Sequence, residues 1–236
     1  MILEVKGLQA YYGKSHVLQG VDLELEQGQL VCLLGRNGVG KSTTLMTIMG
    51  LVPPAGGSVR FKGQELAGRQ PFEIARLGLG FVPEERRIFS SLSVLENLEI
   101  GRQKARPGQQ GQGWTVERIL DSFPRLAERR GNRGCHLSGG EQQMLTIART
   151  LMGNPEVVLV DEPTEGLAPL VAEGVLEMLS TISLAGVTIL LVEQNLKAAM
   201  KLANAFYVMS KGRMVFKGDA AELTAAEEVR RKYLEV

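Results

Sequence analysis

Short apolar runs alternate with longer stretches of helical periodicity along most of this chain. Four of the runs have the length and composition of buried strands, namely Leu30–Leu34, Leu79–Val82, Val157–Val160 and Val187–Val192. Helical patterns follow Thr43 and Ser138, and a third covers Pro169–Ala185. Because strands that alternate with helices build a largely parallel sheet, the pattern predicts an α/β fold.

Two further pairs of segments predict antiparallel structure beside this parallel core. Ile2–Leu8 and Val21–Leu25 alternate between apolar and polar residues, and we expect them to form an antiparallel edge with Ala10–Leu18 as the connection. Phe206–Ser210 and Arg213–Lys217 flank a Lys-Gly dipeptide that is typical of a hairpin turn.

A helical and polar stretch from about residue 84 to residue 135 interrupts the strand pattern. It contains the glycine- and glutamine-rich segment Arg106–Gly113, which we interpret as a flexible surface loop. Val229–Leu234 predicts a short amphipathic helix that packs on the body of the protein. Since no internal repeat is visible, we expect residues 1–236 to form one domain with a helical subdomain inserted at about 84–135.

The net charge and the lengths of the apolar runs exclude some classes of function. Twenty-seven basic and 26 acidic residues leave a formal net charge of +1, which provides no electrostatic footprint for nucleic acid. The apolar runs are far shorter than the ~20 residues that a membrane helix needs. No basic segment followed by an apolar region stands at the N-terminus, so we expect a cytoplasmic protein that reaches a membrane only through partners.

The cysteines and histidines do not indicate a metal site. Cys32 and Cys135 lack metal-ligand spacing, and we interpret Cys32 as a small buried residue of its strand. His16 and His136 are the only histidines, and we interpret both as structural or surface residues.

Residues 35–43 form a glycine-rich loop between a predicted strand and a predicted helix, which is typical of a phosphate-binding loop. Its backbone N–H groups would converge on phosphate oxygens, Lys41 would reach the β- and γ-phosphates, and the Ser42 hydroxyl would hold Mg²⁺. The predicted nucleotide-binding residues of this loop are Gly35, Arg36, Asn37, Gly38, Val39, Gly40, Lys41, Ser42 and Thr43. An ordinary glycine-rich turn is the alternative, and the flanking strand and helix argue against it.

Two more motifs follow in a fixed order. Leu137–Gln143 reads Leu-Ser-Gly-Gly-Glu-Gln-Gln, and Val157–Pro163 is an apolar strand that ends in Asp-Glu-Pro. Together with the phosphate-binding loop they resemble the ATP-binding-cassette (ABC) ATPases, over the chain from about Ile2 to its C-terminus. The resemblance implies an ABC cassette of the P-loop NTPase fold, with ATP and Mg²⁺ as its cofactors.

The resemblance also implies roles for the acidic pair Asp161 and Glu162 and for Leu137–Gln143, which is called the signature segment below. Asp161 would bind Mg²⁺, and Glu162 would orient or deprotonate the attacking water, whereas the plain alternative is a pair of solvated loop charges. Ser138, Gly139 and Gly140 would contact the γ-phosphate that a facing subunit holds, although a helix N-cap alone would explain Ser138.

The base of the nucleotide would be bound near the N-terminus. Tyr12 matches the aromatic position that stacks on adenine in this family, and Val17 would flank the base. A tyrosine of the core or of a turn is the competing interpretation of Tyr12.

Three positions depart from the commonest pattern of the family. Glu84 stands where a glutamine usually contacts Mg²⁺ and the attacking water, Gln194 replaces a γ-phosphate-binding histidine, and Ala168 replaces an aspartate. One interpretation is a degenerate site, since Gln194 cannot become a cation and Glu84 adds negative charge. We favour an active enzyme, with Glu162, Gln194 and Glu84 as its catalytic residues and Glu84 also near the metal.

These departures are usual in one subgroup that the chain resembles, the ATPase subunits of branched-chain amino acid importers and their urea and amide relatives. The resemblance implies two membrane permeases, a second ATPase chain or a second copy of this one, and an external solute-binding protein as indirect partner. It also implies a position on the inner face of the membrane. We choose branched-chain amino acids over urea or short-chain amides.

Two other classes of function stay open. Cassettes also serve DNA repair, chromosome organisation and translation, but this chain has neither the long coiled coil nor the second cassette that such proteins often carry. A catalytically silent regulatory cassette is the other alternative, because of Glu84 and Gln194.

Overall fold

The computed structural model describes residues 1–103 and 113–234. Its strands are β1 Leu3–Tyr12, β2 Ser15–Leu25, β3 Leu30–Leu34, β4 Gly56–Phe61, β5 Gln64–Glu65, β6 Leu79–Val82, β7 Val157–Asp161, β8 Thr188–Glu193, β9 Ala205–Ser210 and β10 Arg213–Gly218. Its α-helices are α1 Lys41–Ile48, α2 Pro71–Leu77, α3 Val94–Gly101, α4 Val116–Ser122, α5 Pro124–Glu128, α6 Gly139–Leu151, α7 Pro169–Leu184, α8 Leu196–Leu202, α9 Ala220–Ala225 and α10 Glu227–Tyr233.

Six strands form the larger sheet in the order β10-β9-β3-β8-β7-β6. All neighbouring strands are parallel except β9 and β10, which form the predicted hairpin. Every residue of β3, β7 and β8 is buried, as expected for a parallel sheet that is covered on both faces. The predicted largely parallel α/β core is confirmed.

The smaller sheet has four antiparallel strands in the order β2-β1-β4-β5. The predicted connection over Ala10–Leu18 is wrong, because β1 continues to Tyr12 and β2 starts at Ser15. In this part of the ladder Tyr11 pairs with His16 and Tyr12 with Ser15, and three register shifts along the whole β1–β2 ladder break the alternation that the prediction relied on. Strands β4 and β5 and helix α2 were not predicted.

Two hydrophobic clusters lie on opposite faces of the larger sheet. Alternate residues of β3 point to different clusters, with Leu30, Cys32 and Leu34 in one and Val31 and Leu33 in the other. The first cluster also includes buried residues of α3, α6 and α7, and the second includes buried residues of α1 and of the smaller sheet. Cys32 is a buried core residue, as predicted.

The stretch predicted as helical contains α3, α4 and α5, and these helices form a contiguous group of contacts with α6. The flexible loop predicted for Arg106–Gly113 falls almost wholly outside the described residues. Val229, Tyr233 and Leu234 of the C-terminal segment pack on the first hydrophobic cluster, as predicted. Within residues 1–103 and 113–234, no helix combines the length and the apolar character that crossing a bilayer requires.

Candidate functional site

Three neighbouring parallel strands bring the predicted site residues to one edge of the larger sheet. The glycine-rich loop follows β3, Asp161 ends β7, and Glu193 ends β8, which lies between the other two strands. Because carboxyl ends of parallel strands meet at the same edge, residues far apart in sequence come together here.

The loop of residues 35–40 needs glycine at defined places. Gly38 and Gly40 have φ values of 76° and 113°, in the region that favours glycine. A Cβ atom on Gly40 would lie 3.0 Å from Leu18 Cδ2 and 3.3 Å from the Val17 carbonyl oxygen. The loop is therefore packed closely against β2, and helix α1 begins directly after it at Lys41.

Lys41 links the loop to the strand ends. Its ammonium donates to the carbonyl oxygens of Gly35 at 2.9 Å and Arg36 at 3.0 Å. It also forms an ion pair with Glu162 at 3.0 Å, and the two side chains are only 3% and 6% exposed. Next to this pair, the Ser42 hydroxyl donates to Asp161 Oδ1 at 3.0 Å.

Glu162 is held by its backbone as well as by its side chain. Its φ of 39° lies in the left-handed region, which is uncommon for a residue other than glycine. Its N–H donates to the Val192 carbonyl at 3.0 Å, which ties the turn after β7 to β8. Gln194 Nε2 donates to Glu162 Oε2 at 3.1 Å and lies 3.5 Å from Glu165 Oε2. The carboxylate of Glu162 is thus fixed between Lys41 and Gln194.

Negative charge accumulates around this edge. Burial raises the pKa of Asp161 to about 6, and the nearby carboxylates of Glu162 and Glu84 add to the effect, while the bond from Ser42 opposes it. A hydrogen bond with Glu162 raises the pKa of Glu165 to about 7, helped by desolvation and neighbouring charges. Burial also raises the pKa of Glu193, whose carboxylate accepts from the Thr164 hydroxyl at 2.7 Å.

The arrangement fits a magnesium ion that is bound together with phosphates. In the part of the chain that is described, no group of three His, Cys, Asp or Glu side chains could hold a metal ion unaided. Mg²⁺ is commonly held by one or two protein oxygens while phosphates and waters complete its octahedron. Ser42 and Asp161 supply such oxygens side by side, and a cation would offset the negative charge of the carboxylates around Asp161.

The signature segment forms the start of α6. The Ser138 hydroxyl accepts from the Glu141 N–H at 3.3 Å and Glu141 accepts from the Ser138 N–H at 2.7 Å, which makes a capping box. A Cβ on Gly140 would lie 2.0 Å from Val171 Cγ1, so this glycine allows α6 to approach α7 closely. Within the described chain, no hydrogen bond or ion pair joins Ser138–Gly140 to the loop 35–43.

Tyr12 ends β1 and Val17 lies near the start of β2, on either side of the turn that joins these strands. Tyr12 is 48% exposed, which excludes the interpretation of a core tyrosine. Its neighbour Tyr11 stacks on His16, with 4.2 Å between the ring centroids. The Val17 carbonyl lies against Gly40, so this turn and the glycine-rich loop are adjacent.

Comparison with known proteins identifies the family. The family model described as ABC transporter matches residues 18–165, which is more than half of the chain. The chain belongs to the ABC transporter family. It is therefore an ATP-binding cassette and an ATPase.

Similar proteins match this ABC cassette over nearly its whole length. The high-affinity branched-chain amino acid transport ATP-binding protein BraG of Pseudomonas aeruginosa is 43% identical over 99% of both chains. The probable branched-chain amino acid transport ATP-binding protein LivF of Archaeoglobus fulgidus is 34% identical over 97% of this chain and 96% of its own. A crystal structure of the ADP conformation of an ATP-binding cassette matches with a TM-score of 0.83 and 26% identity over 97% of each chain.

Several contacts in this ABC cassette were not anticipated from the sequence. Glu165 joins the Glu162–Gln194 pair, and Glu193 bonds to Thr164, although the sequence analysis gave neither acid a role. The repeated acids around Asp161 and before Gln194 are the signal that could have indicated them. Glu84 is exposed and makes no hydrogen bond or ion pair with any described residue, so its influence on Asp161 is electrostatic.

Proposed function

We propose that this chain binds MgATP and hydrolyses it as the ATPase subunit of an importer for branched-chain amino acids. The observation that carries the proposal is the chain of contacts from Lys41 through Glu162 to Gln194 at the end of the glycine-rich loop. The similarity to transport ATP-binding proteins over the full chain supports it.

The nucleotide would be held by residues from three places. Residues 35–43 would surround the phosphates with backbone N–H groups, Lys41 would bind the β- and γ-phosphates, and Tyr12 would stack on the adenine with Val17 beside it. Ser42 and Asp161 would hold Mg²⁺, with Glu84 near its outer ligands. When bound, Mg²⁺ neutralises charge that develops on the transferred phosphoryl group.

Glu162 would act on the attacking water. It is anchored by its backbone bond to Val192, so its carboxylate can accept a proton or orient the water without a large movement of the chain. Gln194 would position this carboxylate through its side-chain amide. Glutamine cannot become a cation, yet it can still donate a hydrogen bond, which is why we infer an active site rather than a degenerate one.

We infer that residues 1–236 act as one cassette, with the helical stretch at about 84–135 facing the membrane subunits. Two permeases, a facing ATPase chain and, indirectly, a solute-binding protein would complete the importer on the inner face of the membrane. Nucleic acid is not among the proposed partners. In the facing arrangement, Ser138, Gly139 and Gly140 of each chain would contact the γ-phosphate held by the other.

An uptake measurement tests this proposal. Cells in which the native gene carries Glu162→Gln should lose high-affinity uptake of radiolabelled leucine, isoleucine and valine, because the substitution keeps the side-chain volume but removes the base. Glu173→Gln, at an exposed surface pair with Lys201, is the matched control. Loss of urea or acetamide uptake with normal leucine uptake would assign the chain to the amide relatives. Unchanged uptake of all these substrates would overturn the proposal.

A further inference from the structure

Arg86 lies against the signature segment although it comes from the loop after β6. A Cβ atom on Gly139 would be 2.5 Å from Arg86 Nη1 and 3.0 Å from its Cζ, so a side chain at this position would displace the guanidinium. A Cβ on Gly166 would lie 4.0 Å from Nη2. The half-buried guanidinium is thus placed between the start of α6 and the turn that follows Glu165.

The charge of Arg86 is not balanced by the side chains around it. Among the described residues its guanidinium forms no ion pair or side-chain hydrogen bond, whereas the neighbouring Arg87 pairs with Glu85 at 2.9 Å. The acid in the first turn of α6, Glu141, is already engaged by Arg129 at 3.1 Å and by the Ser138 N–H.

An anion near the start of α6 would interact favourably with this cation. The N-terminus of a helix carries a partial positive charge, so a cation placed there is destabilising by the same interaction that favours an anion. The N–H groups of Gly139 and Gly140 make no hydrogen bond to any described residue, since the capping serine bonds only the third N–H. Two N–H groups and one guanidinium, none with a described hydrogen-bond or ion-pair partner, therefore lie close together at the start of α6.

We propose that Arg86 binds the γ-phosphate of the ATP held by the facing ATPase chain, alongside the signature glycines. This inference rests on the proposed function, because it requires the head-to-tail pair of cassettes. It adds a fixed cation to the shared site, which is the charge that Gln194 does not provide. A guanidinium is suited to this task because it remains charged and binds phosphate oxygens with two N–H groups at once.

Kinetics of the full-length chain give the first test. Arg86→Ala should lower kcat for ATP hydrolysis by about 10- to 100-fold, the range expected for a hydrogen bond to a charged group. The affinity of the variant's own loop for MgATP and its thermal midpoint should remain those of the wild type. Arg86→Lys should recover only part of the rate, because an ammonium cannot form the two-pronged contact. Arg87→Ala is the matched control and should keep the wild-type rate.

Complementation then shows in which chain Arg86 acts. A mixture of Arg86→Ala and Glu162→Gln chains contains pairs with one complete site, provided that Arg86 serves the nucleotide of the opposite chain. Each variant alone should be slow. A pair that combines the two variants has one complete site, so it should hydrolyse ATP at up to half the rate of a wild-type pair. If Arg86 instead serves its own loop, neither site is complete and mixing restores nothing.

A second mixture of variants is the control that shows whether head-to-tail pairs form. Ser138→Asp retains an N-cap acceptor but adds a carboxylate where the phosphate would bind, so its mixture with Glu162→Gln should be restored by any head-to-tail pair. Restoration of this control but not of the Arg86→Ala mixture would overturn the inference while the proposed function stands. Failure of both mixtures would reject the site shared between two copies and the inference with it. Absence of hydrolysis by the wild type would instead reject the proposed function.

Discussion

Lys41 and Glu162 form an ion pair with 3.0 Å between Nζ and Oε1, and both side chains are almost completely buried. One residue begins the helix after the glycine-rich loop and the other follows the strand that ends in Asp161. When phosphates bind the Lys41 ammonium, they compete with Glu162 for it. In the proposed mechanism, nucleotide binding would thereby release the carboxylate that would act on the attacking water, so this one contact would couple binding and catalysis.

Removing Lys41 should cost stability as well as nucleotide binding. Breaking a buried pair leaves an uncompensated charge, which typically costs about 3–5 kcal/mol. We therefore expect Lys41→Ala to lower the free energy of unfolding by roughly this amount, as measured by urea titration without nucleotide. Lys201→Ala removes the exposed pair with Glu173 and should change it by less than about 1 kcal/mol. Equal stability of the two variants would contradict the importance of the buried pair.

Stability of the nucleotide-free chain should fall as the pH rises. The folded-state pKa values of Asp161 and Glu165 are raised to about 6 and about 7 from ordinary values of 3.8 and 4.5. A raised pKa means that protonation favours the folded state, so this stabilisation is complete below those ordinary values and is lost as the pH passes through the raised ones.

Urea midpoints at pH 5.5, 6.5 and 7.5, without magnesium, measure this dependence. Glu165→Gln should remove most of the decrease in the urea midpoint between pH 6.5 and pH 7.5. The decrease that is due to Asp161 should remain. A variant with the wild-type dependence would show that Glu165 does not titrate in this range.

Tyr12 should contribute to nucleotide affinity through its exposed ring. Stacking of a base on an aromatic side chain is worth about 1–3 kcal/mol, so Tyr12→Ala should weaken MgATP binding by about 5- to 150-fold. Tyr12→Phe keeps the ring and should bind normally. Tyr11→Ala is the adjacent control, because Tyr11 already stacks on His16. Titration calorimetry would contradict the assignment if the two alanine variants bound alike.

Gln194 should affect the chemical step more than binding. Loss of its bond to Glu162 should lower kcat by about 10- to 100-fold in Gln194→Ala with little change in KM, since bonds to charged groups are worth about 1.5–3 kcal/mol. Gln64→Ala, on an exposed strand, is the control. A raised KM at unchanged kcat would mean that Gln194 contacts the nucleotide instead of positioning the carboxylate.

The sequence predicted the elements whose signal is local. Leu30–Leu34 and Leu79–Val82 are strands over the predicted residues, because continuous apolar runs mark strands buried on both faces. Ala10–Leu18 was interpreted wrongly because it is held by backbone pairing, as between Tyr12 and Ser15, and this pairing does not follow an alternation of apolar and polar residues. Gly56–Phe61 begins with two glycines, and glycine has a low strand propensity, so the strand was not predicted.

The residues of the candidate site could be named from the sequence, but the contacts between them could not. The motif residues lie at neighbouring strand ends because β3, β8 and β7 are adjacent in the parallel sheet. The backbone of Glu162 and its bond to Gln194 depend on a turn geometry that no local pattern encodes. The approach of Arg86 to Gly139 joins segments more than fifty residues apart and becomes visible only in the folded chain.

We propose that this cassette drives a membrane importer, and the proteins that bind it in the cell distinguish this function from the others. The tagged chain would be purified in mild detergent from its native cells, with Glu162→Gln and MgATP to hold the assembled state, and the accompanying proteins would be identified by mass spectrometry. We expect two polytopic permeases, with a second cassette or further copies of this chain, and a solute-binding protein selective for leucine, isoleucine and valine. Recovery of ribosomes or DNA-bound complexes without any membrane protein would contradict the claim.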